Sequence, residues 1–144
     1  MQLLFRGSRD GFCAPACHSQ SNDLPEAGMR IFLVRDTDGS VFGGFSDVGW
    51  TPATSAGWKA SKNAFLLSLS VRGSPWIVKC PLKAAPNFSN AAICGTLDQF
   101  VRFGQGDLIL ARSCNANRAS ITSLGSIYEN HGRTNLLTGG GNAF

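Results

Sequence analysis

"AFLLSLSV" at residues 64–71, followed by "RGSP" (72–75) and "WIVKC" (76–80), is the stretch that decides the fold. An apolar run of this length, rich in Leu, Phe and Val and bounded by turn residues, reads as a strand. It is apolar enough to be central and buried on both faces. Arg72, Gly73, Ser74 and Pro75 are turn chemistry, so the next run returns beside the first as a hairpin. A second hairpin lies upstream at residues 29–47: "MRIFLVRD" (29–36) passes through "DTDG" into "SVFGGFSDVGW" (40–50), with Gly39 free to take a positive φ. Gly43 and Gly44 interrupt that returning strand, where glycine costs conformational entropy. The expected cause is a bulge or the close approach of another backbone, in preference to a ligand pocket.

Working outward, Met1–Phe5, "AAICG" (91–95), "DLILAR" (107–112) and "SITSLG" (120–125) read as further strands, the third apolar enough to be central. Residues 51–63 read as a loop tethered by Trp50 and Trp58. Residues 81–92 are irregular, 113–119 form a loop, and 126–144 form a Gly- and Asn-rich tail. One helix is expected from about Gly11 to Gln20, N-capped by Ser8 or Asp10, with Phe12, Cys13, Ala16 and Cys17 on its buried face. Eight or nine short strands with little helix predict a mainly β domain (α+β by strict count). The expected architecture is a two-sheet antiparallel β-sandwich with a few short helices.

The 144 residues amount to one domain, and 43% hydrophobic with 15% charged content fits an ordinary globule. Seventeen glycines against six prolines agree with many tight turns. The net charge of +4 is scattered: residues 1–72 carry seven basic and six acidic side chains, residues 73–144 six and three, and no two basic residues are adjacent. A nucleic-acid footprint needs basic residues clustered on one face, so none is expected. No run approaches the roughly 20 apolar residues of a membrane span, and the N-terminus lacks a signal-peptide pattern. The expected address is the cytoplasm, with no membrane insertion.

Five cysteines form an odd set with no CxxC pair, which predicts reduced, mostly buried thiols. Cys13, Cys17 and His18 fall short of the four ligands a structural zinc needs, so no metal and no cofactor is expected. The two histidines, His18 and His131, are far apart, and no GxSxG or P-loop pattern occurs. With no visible catalytic constellation, a binding module is expected in place of an enzyme.

Six stretches in order resemble the TLDc domain: "LLFRGSRDGF" (3–12), "SVFGGFSDVGW" (40–50), "NAFLLSL" (63–69), "FVRFGQGDLIL" (100–110), "SLGSIYEN" (123–130) and "LLTGGGNAF" (136–144). The family's motif positions fall on Ser8, Arg9, Asp10, Gly11 and Phe12. They continue at Phe42, Gly43, Gly44 and Trp50, then at Phe103, Gly104 and Asp107, and finally at Tyr128, Glu129 and Gly139. The resemblance implies a two-sheet sandwich flanked by short helices. It also implies a role in protection against oxidative stress, with binding to the vacuolar proton pump (V-ATPase) and no established catalytic mechanism. Family domains carry a helical lead-in before the first motif and a further strand beyond the position of Phe144. Residues 1–144 are therefore expected to form a single TLDc-like domain shortened at both ends.

The function expected is a non-enzymatic interaction module acting through protein partners, V-ATPase subunits among them, and held near organelle membranes only through such a partner. Two alternatives stand beside it. One is direct peroxide chemistry at Cys13 or Cys17, which would require a depressed thiol pKa. The other is a degenerate or incomplete TLDc fragment acting as a scaffold, which a melt without cooperativity would reveal.

Overall fold

Two four-stranded antiparallel sheets pack face to face in the computed structural model, which describes residues 3–12, 28–49, 57–85, 87–96, 99–133 and 135–139. The first sheet has the order β1 (Arg30–Arg35), β2 (Val41–Ser46), β4 (Phe65–Val71), β5 (Ser74–Pro81). The second has the order β3 (Gly57–Lys59), β6 (Ile93–Thr96), β7 (Gln99–Phe103), β8 (Leu108–Ala111).

Both expected hairpins form. In the first, the Ser40 backbone N–H donates to Asp36 Oδ1 at 2.8 Å and Gly39 takes φ 85°, as the turn chemistry requires. Register then sorts the side chains by face. Phe42, Ser68 and Val78 lie in one row across β2, β4 and β5, and Gly44, Leu66 and Cys80 lie in the next. These rows point inward, where Ile93, Val101, Phe103, Leu108 and Leu110 of the second sheet complete one core. The opposite face of the first sheet is also apolar. Phe45 and Phe65 stack there at 5.0 Å, Lys79 Nζ lies 4.3 Å from the Phe65 ring centroid, and Ile31, Leu33 and Ile77 are exposed.

Several elements differ from the sequence expectation. β4 is central but only half-buried: Leu66 and Ser68 face the core, while Leu69 is exposed, so alternation overrides its uniform apolarity. β8 lies at the edge of its sheet, supported by an isolated bridge from Ile109 to Ile121. That bridge is all that the expected strand at 120–125 forms. The expected loop at 51–63 contains β3, in which Trp58 pairs opposite Cys94 and lies under the Arg102 guanidinium, 4.9 Å from its carbon to the ring centroid. Residues 99–103 form β7, a strand the sequence reading does not assign. Within 81–92, Leu82 bridges to Tyr128 and Phe88–Ala91 make a 3₁₀ turn. The tail is structural: Ile127, Tyr128, Leu136 and Leu137 are buried in the core.

At the N-terminus residues 3–5 form no strand, and the helix α1 is a single turn, Gly7–Asp10. Arg6 is its N-cap and makes no side-chain capping bond; Gly11 ends it with φ 90°. The helix expected from about Gly11 to Gln20 falls almost wholly on residues 13–20, outside the described residues, and α1 is a separate turn that the sequence reading does not assign. Cys13, Cys17, His18 and Trp50 lie outside the described residues.

Candidate functional site

The strongest polar constellation centres on Asp107. It follows β7 through the turn 104–107 and is fully buried. Its Oδ1 accepts backbone N–H bonds from Gly125 at 2.9 Å, Ser126 at 3.0 Å and Tyr128 at 3.3 Å. Its Oδ2 accepts the Ile127 N–H at 3.1 Å and the Ser126 hydroxyl. Four consecutive backbone donors converge on one carboxylate, the arrangement that elsewhere cradles an anion. Here the protein's own side chain fills it, so the cradle is a clasp joining the end of β7 to the tail. Gly104, at φ 59°, sits against the same carboxylate, and a Cβ there would collide with it.

Beside the clasp, Phe103 and Tyr128 meet edge to face with centroids 6.1 Å apart. The Tyr128 hydroxyl donates to the Ala92 carbonyl at 2.8 Å, and burial pushes the phenol pKa well above its usual value. Across the sandwich, the Phe103 ring occupies the space a Cβ on Gly44 would need, and Gly43 lies against the Phe32 carbonyl of β1. The close backbone approach expected of these glycines is present at Gly43, whereas the neighbour of Gly44 is a side chain. Glu129 adds its backbone N–H to Pro81 O at 2.8 Å.

The first motif stands apart from this group. Asp10 Oδ2 accepts the Arg6 N–H at 2.8 Å, and Arg9 holds both Asp10 oxygens at 2.6 and 2.8 Å. Asp10 thus reaches back over the helical turn to the N–H of Arg6 at its start. The Arg9 hydrogen bond, aided by the Arg6 N–H, lowers its pKa to about 2. Ser8 accepts the Arg6 guanidinium at 3.0 Å, and Phe12 O accepts the Ser113 N–H at 3.0 Å, tying the motif to the 112–116 turn. Gly139, at φ 63°, lies far along the chain against Val71. The structure therefore gathers Phe42, Gly44, Phe103, Gly104, Asp107 and Tyr128 into one core network and leaves Ser8–Phe12 and Gly139 outside it.

Three described cysteines are free thiols. Burial pushes Cys80 up to about 11, with Asp107 and Glu129 adding negative charge nearby. Burial also raises Cys94 and Cys114. A raised thiol is mostly protonated at neutral pH and a poor nucleophile. Among the described residues no cluster of three His, Cys, Asp or Glu could hold a metal ion, and no helix is long and apolar enough to cross a membrane.

Two accessible hollows among the described residues lie elsewhere, along β5. One, of about 520 Å³, is lined by Trp76, Ile77, Val78, Lys79, His131, Arg133 and Leu136. A second, of about 330 Å³, shares Trp76, Arg133 and Leu136 and extends past Pro75 to Gly139. Sequence reasoning did not identify this groove. Its one signal is the period-2 pattern of 76–80, which places Ile77 and Lys79 on the face away from the core; the basic wall comes from how the tail folds back.

A two-sheet sandwich clasped by a buried aspartate, with Gly44 fitted against one inter-sheet phenylalanine, defines a structural module in which several of the motif residues are internal. The model of the TLDc domain matches residues 1–138, and the chain belongs to that family. No individual curated protein matches it closely enough for comparison.

Proposed function

We propose that the chain works as a non-enzymatic TLDc interaction module, linked to oxidative-stress protection through binding and regulation of the V-ATPase. The supporting observation is where the motif's polar groups are directed. Asp107 is saturated by the 125–128 segment, the Tyr128 hydroxyl by Ala92 O, and Asp10 by Arg9 and Arg6. Groups held in this way fix a shape and present no nucleophile or base to a substrate, whereas the groove along β5 is open to a partner. The raised thiols of Cys80, Cys94 and Cys114 lend nothing to peroxide chemistry. A cytoplasmic protein meeting the pump at an organelle surface fits this reading.

The test is capture from native lysate on the immobilised 1–144 chain, read by mass spectrometry. Recovery of V-ATPase subunits, lost when the fold is broken by Asp107→Ala, is the expected result. Recovery of none removes the pump from the proposal.

A further inference from the structure

The first sheet is apolar on both faces. On the outer one, Ile31, Phe45, Phe65 and Pro81 form a row across the four strands. Leu33, Gly43, Leu67 and Lys79 form the next, and the exposed Leu69 and Ile77 lie beyond it. An antiparallel sheet with one solvated face normally alternates apolar inward with polar outward. Here Ile31 and Leu33 are each 53% exposed and Ile77 83%, so the outward set is a second apolar surface without a cover.

The charges on this face are placed by strand. Arg35 stands on β1 and Lys79 on β5, the two edge strands, whereas the central β2 and β4 present Phe45, Phe65, Leu67 and Leu69. Lys79 Nζ, 4.3 Å from the Phe65 centroid, leans over the apolar rows from its side. No acidic residue occupies the outward rows, and Asp36 in the adjoining turn is taken up by the Ser40 N–H at 2.8 Å. Three strand spacings of about 4.8 Å set the edges about 14 Å apart, and six residues of strand run about 20 Å. An α-helix is about 10–12 Å across and covers about 20 Å in some 13 residues. One helix laid along β2 and β4 therefore fills the apolar strip, with its flanks over Arg35 and Lys79. A second copy fits less well, because face to face each Arg35 and Lys79 would meet only cations. An anionic membrane is drawn by clusters of about four to eight cations, and this face has Arg35 and Lys79.

We propose that the outer face of the first sheet receives an amphipathic helix of a partner protein, its apolar stripe on β2 and β4 and acidic residues on its two flanks meeting Arg35 and Lys79. This rests on the reading of the chain as a binding module and identifies the surface and the chemistry of its ligand. Ile77 and Lys79 also line the larger hollow along β5, so the groove continues from this face. The chain's own expected helix at 11–20 carries no acidic side chain and lacks the complementarity.

The test uses the 1–144 chain and a fluorescein-labelled helical peptide with Leu at heptad positions a and d and Glu at e and g, followed by fluorescence anisotropy. Binding should saturate, weaken as salt rises, and fall by about tenfold in the double variant Arg35→Glu, Lys79→Glu. That variant should instead favour the same peptide with Lys at e and g. Ile31→Ser with Leu33→Ser, both exposed positions, should also cost about tenfold. A peptide with a central Pro, which breaks the helix, should not bind. Equal binding of the Pro peptide, or of the Lys peptide to the unaltered chain, overturns helix docking, as does binding untouched by the face variants. Sedimentation of the chain with phosphatidylserine vesicles, abolished by Ile31→Ser with Leu33→Ser and without peptide binding, assigns the face to a lipid surface and overturns it. A concentration-dependent dimer lost in the same variant, again without peptide binding, assigns the face to a second copy and equally overturns it. Should a variant fail to fold, salt dependence and the two control peptides still decide. If pump capture fails and the peptide binds, the face stands and the pump falls; the converse result removes the face alone.

Discussion

Gly44 of β2 and Phe103 of β7 face one another across the sandwich so closely that a methyl group on Gly44 would enter the phenylalanine ring. The ring is fully buried and also abuts Tyr128, so it has nowhere to retreat. Gly44→Ala is therefore expected to cost about 1–3 kcal/mol by overpacking, read as a lower urea midpoint. In a Phe103→Leu background the same change should cost much less. Strict additivity of the two substitutions would show that the ring and the glycine are not coupled.

The Asp107 clasp predicts an asymmetric pair of variants. Asp107→Ala orphans four backbone N–H groups and should cost at least about 3 kcal/mol. Asp107→Asn keeps one acceptor oxygen in place and should cost clearly less, by equilibrium denaturation. Equal losses would mean that the side chain's bulk, and not its hydrogen bonding, holds residues 125–128.

These two relationships show what the sequence makes legible. Both hairpins of the first sheet are readable because Asp36, Gly39 and Gly73 announce their turns and the strands between them are long enough to show a pattern. β3 is not, since three residues among small polar neighbours display no period. Gly44, Phe103 and Asp107 are visible as motif positions, but their partners are silent. Backbone N–H groups belong to every residue, so nothing in "SLGSIYEN" marks it as the receiver of a carboxylate about 20 residues earlier. The tail misleads for a related reason: Leu136 and Leu137 are core residues hidden among glycines and asparagines. The β5 groove depends on which strand ends the sheet, a tertiary fact.

Thiol accessibility offers a third check. With its pKa near 11 and its side chain fully buried, Cys80 should resist iodoacetamide at neutral pH in the folded chain and label rapidly in denaturant. Cys114, half-buried, should label faster than Cys80. Quenched labelling followed by peptide mass spectrometry reads both. Rapid native labelling of Cys80 would place it in a different environment from the one described.

Asp10 makes a prediction about acid. Its carboxyl pKa is lowered to about 2 by the Arg9 hydrogen bond and the Arg6 N–H. A depressed folded-state pKa adds stability that is present above the unfolded value, near 3.8, and lost as pH falls through about 2. Asp10→Asn should therefore flatten the stability profile between those values and lower it slightly at neutral pH. The site is open to solvent, so salt should shrink the difference. Identical acid profiles for the two proteins would leave the Arg9–Asp10 contact without energetic weight.

The clasp also bears on where the chain could be cut. Asp107 holds 125–128, Ile109 bridges Ile121 in both directions, and the Ser123 N–H donates to Gly106 O at 3.0 Å. Residues 115–119, which join these two sides, are all exposed. A single proteolytic nick in that loop would leave two pieces, each carrying half of the fastening and neither able to satisfy its buried polar groups alone. The loop is thus a natural seam: the molecule could be made as two complementary fragments that regain their shape only by finding one another.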